Sequence, residues 1–170
     1  LRAPAVVGGR PAGPAPQAGL VPELKRFSPN VVAFGIGGDL LQKQGRTILH
    51  HARGMGIVGL FNVIRHLGMF RRIFRELLAR IESERPDIVL LVDYPDFNLR
   101  VAKRCKAMGL RVVYYISPQI WAWRRGRVKQ IAKSVDHMIV IFPFEEDFYR
   151  QHGVPVTYVG HPLTRSNVGP

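Results

Sequence analysis

Residues Ile88–Pro118 read IVLLVDYPDFNLRVAKRCKAMGLRVVYYISP, and this stretch decides the fold. Ile88–Val92 is apolar throughout, with Pro86 before it and Pro95 after it. A strand with no polar alternation is buried on both faces. Phe97–Met108 follows at helical spacing and stops at Gly109; Val112–Ile116 is a second buried strand. Strand, helix and strand in this order form a βαβ unit, whose crossover is almost always right-handed.

The alternation continues on the C-terminal side. Arg127–Val135 is a helix with Val128, Ile131 and Val135 on one face, and His137–Phe142 is a third strand. Phe144–His152 is a helix closed by Gly153, and Val156–Val159 is a last strand. Upstream, Met55–Glu84 has a helical pattern, read as two helices hinged near Gly68. In the second of these, Met69, Phe70, Ile73, Leu77, Leu78 and Ile81 share one apolar face. Val31–Ile36 is a strand running into Gly35, Gly37 and Gly38, and Leu20–Phe27 a short helix. Residues 1–19, LRAPAVVGGRPAGPAPQAG, read as a flexible Pro/Gly-rich leader. Apolar strands separated by helices give an α/β domain with a Rossmann-like, doubly wound parallel sheet.

The chain's 170 residues suffice for one domain with a sizeable core. Mean hydropathy near zero with 22% charged residues places it in the globular class. Lys and Arg number 25 against 12 Asp and Glu, a net charge of +13, so anionic partners are expected: nucleic acid, acidic membrane or phosphorylated substrates. The single cysteine, Cys105, excludes an intramolecular disulfide and a multi-cysteine zinc site, and reads as an unreactive thiol. The uncharged runs Gly54–Ile64 and Val112–Trp123 fall short of the roughly 20 apolar residues of a bilayer helix. The N-terminal segment lacks the apolar region of a secretory signal.

Ligands of such sheets bind beyond the carboxyl ends of the strands. Three segments lie there: Asp93–Asn98, Ser117–Arg124 and Gly160–Pro162. Asp93 has two readings, a partly desolvated general base or a helix cap, and Asp96 is read as the cap. Trp121 and Trp123 suit stacking on sugars, or core packing, with Arg124, Arg125 and Arg127 beside them for phosphates. His161, between Gly160 and Pro162, is a polar group in a sharp turn. His50 and His51 have no metal-ligand spacing, and neither a Walker loop nor a nucleophile elbow is present, so neither metal nor cofactor is expected. Met55–Phe70 is apolar nearly all round and is followed by Arg71, Arg72 and Arg75. It reads either as an interfacial segment whose arginines meet anionic headgroups or as a helix buried against the sheet.

The blocks VDYPDFNLRVAKRCKAMGL, YYISPQIWAWRRGRVKQIAKSVD and FPFEEDFYRQHGVPVTYVGHPL match, in order and spacing, the lipid-A-disaccharide synthases. FGIGG at Phe34–Gly38 and MGIV at Met55–Val58 extend the resemblance, which runs from about Leu20 to Leu163. It implies the acceptor-side domain of a two-domain GT-B glycosyltransferase. The implied reaction joins UDP-2,3-diacylglucosamine to 2,3-diacylglucosamine 1-phosphate, giving lipid A disaccharide 1-phosphate and UDP without a metal in the chemistry. It makes Asp93 the base on the acceptor's 6-hydroxyl. Asn98, Ser117, Trp121, Trp123, Arg124 and His161 become substrate contacts, and Met55, Ile57, Val58, Phe61, Ile64, Arg71 and Arg72 contacts to acyl chains or membrane. The positive charge then serves an anionic membrane, on the inner face of the bacterial inner membrane, and not nucleic acid.

The sequence also departs from the family. The usual opening strand and A-G-E-x-S-G-D loop are replaced by PAVVGGRPAGPAPQAG, Gly59 stands where Glu is usual, and Tyr94 where Ala is usual. The match ends after GHPL in the divergent tail 164–170. The expectation is a leader at 1–19, a Rossmann-like domain at 20–163 and no donor-binding C-terminal domain. Such a chain is expected to be inactive alone, the alternative function being a lipid-binding fragment.

Overall fold

The structure, a computed structural model, describes residues 5–8, 26, 34–37, 47–51, 60–118 and 125–161, with side chains at 26, 68–118 and 126–161. In chain order the elements are β1 (Ala5–Gly8), β2 (Phe34–Gly37), β3 (Thr47–His51), α1 (Leu60–Glu84), β4 (Ile88–Val92), α2 (Pro95–Ala107) and β5 (Arg111–Tyr115). A 3-10 turn at Arg125–Arg127 leads into α3 (Val128–Ser134), followed by β6 (His137–Val140), α4 (Pro143–Gln151) and β7 (Val156–Tyr158). The strands form one seven-stranded sheet in the order β3-β2-β1-β4-β5-β6-β7, and every pairing is parallel.

The expected leader is corrected by this order. Ala5–Gly8 is the central strand, paired with β2 on one side and β4 on the other. Four residues are too few to show a periodicity, and the surrounding Pro and Gly hide the run. The rest of 1–19 and the Leu20–Phe27 helix lie outside the described residues, apart from a helical Arg26. Thr47–His51 is a further strand that the pattern missed, because His50 and His51 break its apolar run. The hinge at Gly68 is absent: α1 runs unbroken through it. A lone helical glycine costs about 1 kcal/mol against alanine, which a helix anchored by the buried Ile73, Leu77, Leu78 and Ile81 tolerates.

Right-handed crossovers put α1, α2, α3 and α4 on the same face of the sheet. Ile73, Leu77 and Ile81 of α1 pack there with Val101 and Cys105 of α2, Ile131 of α3 and the inward residues Val89 and Leu91 of β4. The other face carries a smaller cluster of Leu90, Val92, Tyr115 and Ile141. Burial pushes the Cys105 thiol up to about 12, which keeps it protonated and unreactive at neutral pH.

At the amino ends of the strands, Asp136 fixes β5 against β6. Its carboxylate accepts from the Val112 N–H at 2.8 Å and from the Lys106 ammonium, and its own N–H donates to the Val112 carbonyl at 2.8 Å. Partial burial raises the Asp136 carboxyl, but Lys106, the Val112 amide and Arg111 outweigh it, so the net displacement is downward. A lowered carboxylate stabilises the fold fully above the ordinary aspartate value of about 3.9; that stability is lost as the pH falls through the lowered folded value. Asp136→Asn is therefore expected to destabilise the domain by about 1–2 kcal/mol at pH 7. Urea unfolding at pH 7 and pH 3 checks this: the gap from the parent narrows at pH 3, and equal midpoints at pH 7 refute it.

Candidate active site

The strand order reverses at β1, whose successor in the chain lies to one side while β4 lies to the other. A crevice forms outside the carboxyl ends at such a switch point, and Asp93 is the first residue beyond β4. Asp93 and Tyr94 both have left-handed backbones, with φ of 51° and 49°. Each such residue costs on the order of 1–3 kcal/mol, so the surroundings must hold the turn in place.

They do so from beneath. The Asp93 N–H continues the β4–β5 pairing by donating to the Tyr115 carbonyl at 3.1 Å. The Asp93 carbonyl accepts from the Tyr114 hydroxyl at 2.7 Å and from Asn98 Nδ2 at 2.6 Å. The same Asn98 amide reaches the Val92 carbonyl at 3.1 Å, while the Asn98 N–H closes the first turn of α2 on the Tyr94 carbonyl at 3.0 Å. Burial, reinforced by the nearby Asp93 carboxylate, holds the Tyr114 phenol well above its ordinary range, so it stays a donor. These bonds consume the Asp93 backbone and leave its half-buried carboxylate with no hydrogen-bond donor among the described residues.

The cap reading resolves in the same turn. Tyr94 occupies the N-cap without a side-chain cap bond, and Pro95 opens α2. Asp96 is not the N-cap but sits in the first helical turn, where a negative charge suits the helix dipole, and pairs with Arg127 at 2.9 Å. That ion pair ties α2 to the turn leading into α3.

Asn98 and Ser117, both expected as substrate contacts, have side chains below the surface, at 1% and 6% exposure. The Asn98 Oδ1 is itself buried without a partner among the described residues. The Ser117 hydroxyl donates to Glu145 Oε1 at 2.5 Å. Glu145 is a carboxylate only 2% exposed, and its other oxygen accepts from the Phe142 N–H at 3.3 Å. The Tyr149 hydroxyl donates to the Pro118 carbonyl at 3.3 Å, and burial raises that phenol too. Two side chains of α4 thus grip the chain where it leaves β5. Glu145 was missed by the sequence reading, although Pro143 and Glu145 carry a signal: proline at the first helical position and glutamate at the third, reaching back to the N-cap amide.

His161 lies beyond β7 with its ring 6.1 Å from that of Phe142, which stacks on Phe144 at 5.7 Å. Phe142 and Phe144 are exposed at 37% and 49%, giving the carboxyl edge of the sheet an aromatic rim. Trp121, Trp123 and Arg124 lie outside the described residues, as do Met55, Ile57 and Val58. Phe61 and Ile64 belong to α1, and Arg71 and Arg72 are exposed farther along it, Arg72 paired with Glu76 at 2.8 Å. Among the described residues no helix is long and apolar enough to cross a membrane, and no group of three potential metal ligands occurs.

Comparison with known proteins agrees with this geometry. UDP-GlcNAc 2-epimerase from Neisseria meningitidis, solved with UDP-GlcNAc bound, superposes with a TM-score of 0.63 at 12% identity, over 95% of this chain and 46% of that one. MurG from Acinetobacter baumannii superposes with a TM-score of 0.53 at 13% identity, over 83% and 42%. At these identities the likeness shows the fold, one Rossmann-like half of a GT-B architecture. The lipid-A-disaccharide synthase of Geobacter sulfurreducens is 47% identical over 158 residues, and that of Alkalilimnicola ehrlichii 44% identical over the same length. Each match covers 93% of this chain and 41% of the relative, so the chain spans about two fifths of the length of these curated relatives. The lipid-A-disaccharide synthetase family model matches residues 5–167, which take in the central strand β1, the Asp93 turn and the segment gripped by α4, and the chain belongs to that family.

Proposed function

We propose that this chain supplies the acceptor side of a lipid A glycosyltransferase that moves 2,3-diacylglucosamine from its UDP derivative to 2,3-diacylglucosamine 1-phosphate. The observation that carries this is Asp93: a carboxylate at the switch point, free of donors among the described residues, on a turn braced from below. In the proposed step Asp93 takes the proton of the acceptor's 6-hydroxyl. The freed oxygen pair bonds to the donor's anomeric carbon, and the bond from that carbon to the UDP oxygen breaks. UDP leaves with the electron pair and the anomeric centre inverts. Asn98, Tyr114, Ser117 and Glu145 act by positioning, while His161, Trp121, Trp123 and Arg124 remain the proposed substrate contacts. UDP release from this donor and acceptor, measured on an enzyme carrying this sequence together with the remaining three fifths of its relatives' length, tests the reading. No release above background refutes it. Turnover is expected to be lost with the chain alone, which would then act as a lipid-binding fragment.

The substrates' acyl chains make a membrane the natural source of both, and α1 offers the surface. Its first turns carry Leu60, Phe61, Val63 and Ile64, followed by Arg71 and Arg72. The proposed location is the cytoplasmic face of the bacterial inner membrane, held peripherally. Phe61→Asp is expected to reduce co-sedimentation with phosphatidylglycerol vesicles at least about tenfold, since it places a charge where apolar burial supplies the affinity. Unchanged binding removes α1 from the membrane contact.

A further inference from the structure

Helices α2 and α3 lie side by side, and the groove between them, about 620 Å³, is lined by Lys103, Lys106, Ala107, Gly126, Lys129, Gln130, Lys133 and Ser134. We propose that this groove is a phosphate-binding site, separate from the Asp93 crevice. Among the described residues its lining includes four lysines and no acidic residue. Lys103 and Lys106 are three apart on α2, and Lys129 and Lys133 four apart on α3, so each pair stacks along its helix, and both pairs line the one groove. Like charges at these spacings disfavour a helix, a cost that a bound anion removes. Lys106 pairs with Asp136, whereas Lys103, Lys129 and Lys133 meet no carboxylate among the described residues.

Gly126 supplies a second observation. Its backbone is not left-handed, and a Cβ there would meet nothing within 4 Å. Neither conformation nor packing requires a glycine at this place in the lining. Among the described residues the lining holds no aromatic side chain on which an unpaired base could stack, and its lysines suit a phosphate. Lysine binds phosphate as a compact point charge. Only one end of the groove is set apart from the proposed chemistry, Gly126 and Lys129 lying around the start of α3 on the carboxyl side: α2 runs from the carboxyl end of β4 to the amino end of β5. Lys103 and Lys106, in its last turns, thus lie toward the edge of the sheet opposite Asp93.

The phosphate can come from a soluble diphosphate or from a lipid headgroup, and one set of variants distinguishes these sources. Lys103→Gln/Lys133→Gln neutralises the groove; Arg80→Gln/Arg150→Gln removes the same charge from exposed positions on α1 and α4. Each protein is titrated with inorganic pyrophosphate by calorimetry, and with phosphatidylglycerol vesicles by co-sedimentation, after its fold is checked by circular dichroism. The lysine variant is expected to bind about tenfold more weakly, as loss of charge-assisted contacts implies, and the arginine variant to change less than about twofold. A loss seen with pyrophosphate assigns a soluble phosphate, and a loss seen only with vesicles assigns a headgroup. Equal weakening in both variants, no change in either, or no binding of either probe by the parent overturns the site.

Discussion

Replacing Asp93 with asparagine is expected to lower transfer by about 10²–10⁴-fold, the range a positioned general base contributes, with little change in stability. Asparagine keeps the size of the side chain and leaves the backbone bonds to Tyr114, Tyr115 and Asn98 untouched, because those bonds use the Asp93 main chain. It also tolerates the left-handed region well, so the φ of 51° is retained. The loss should therefore fall on kcat, while acceptor binding holds. Single-turnover transfer by the enzyme carrying the remaining length of its relatives, with the unfolding midpoint measured in parallel, separates chemistry from folding. Full activity in this variant would leave the acceptor's proton without its proposed base.

Asn98→Ala is expected to cost about 10²-fold in turnover, the scale of a misplacement of reacting groups by about 1 Å, and about 1–3 kcal/mol of stability. The asparagine amide joins the Val92 and Asp93 carbonyls across the two left-handed residues, so its removal takes a donor from both and releases the turn. Tyr114→Phe is the milder companion. It removes the 2.7 Å bond to the Asp93 carbonyl but keeps the ring in its fully buried place. An intermediate loss in kcat, with KM for the acceptor nearly constant, is expected for Tyr114→Phe. A positioning role moves kcat through Asp93; a purely structural role moves only the unfolding midpoint. Destabilised variants with unaltered kcat would refute the bracing of Asp93.

Much of the fold was legible because its later strands are buried on both faces. Ile88–Val92 was read with the bounds it has, and β5, β6 and β7 within one or two residues. The strands that escaped or blurred are those where local composition opposes the structure. Ala5–Gly8 is short and embedded in Pro and Gly, Thr47–His51 ends in two histidines, and Phe34–Gly37 carries two glycines. All three are held by their parallel partners, which no local window contains. Asp93 was legible as a polar residue at the end of an apolar strand. Its bond from Tyr114 was not, nor was the grip of Glu145 on Ser117, because these pairs stand 21 and 28 residues apart.

The sequence by itself determined the parallel α/β class, the helical face from Ile73 to Ile81 and, through its resemblance to known sequences, the family. The first two follow from runs and periodicities that a few neighbouring residues impose on the backbone, and the family from the order and spacing of its matched blocks. Only the tertiary structure decided that Ala5–Gly8 of the supposed leader is the central strand, that the Asn98 and Ser117 side chains are buried, and that lysines of α2 and α3 share one groove. Each of these depends on a partner distant in the chain, and a hydrogen bond or a shared groove exists only once folding has brought both sides together.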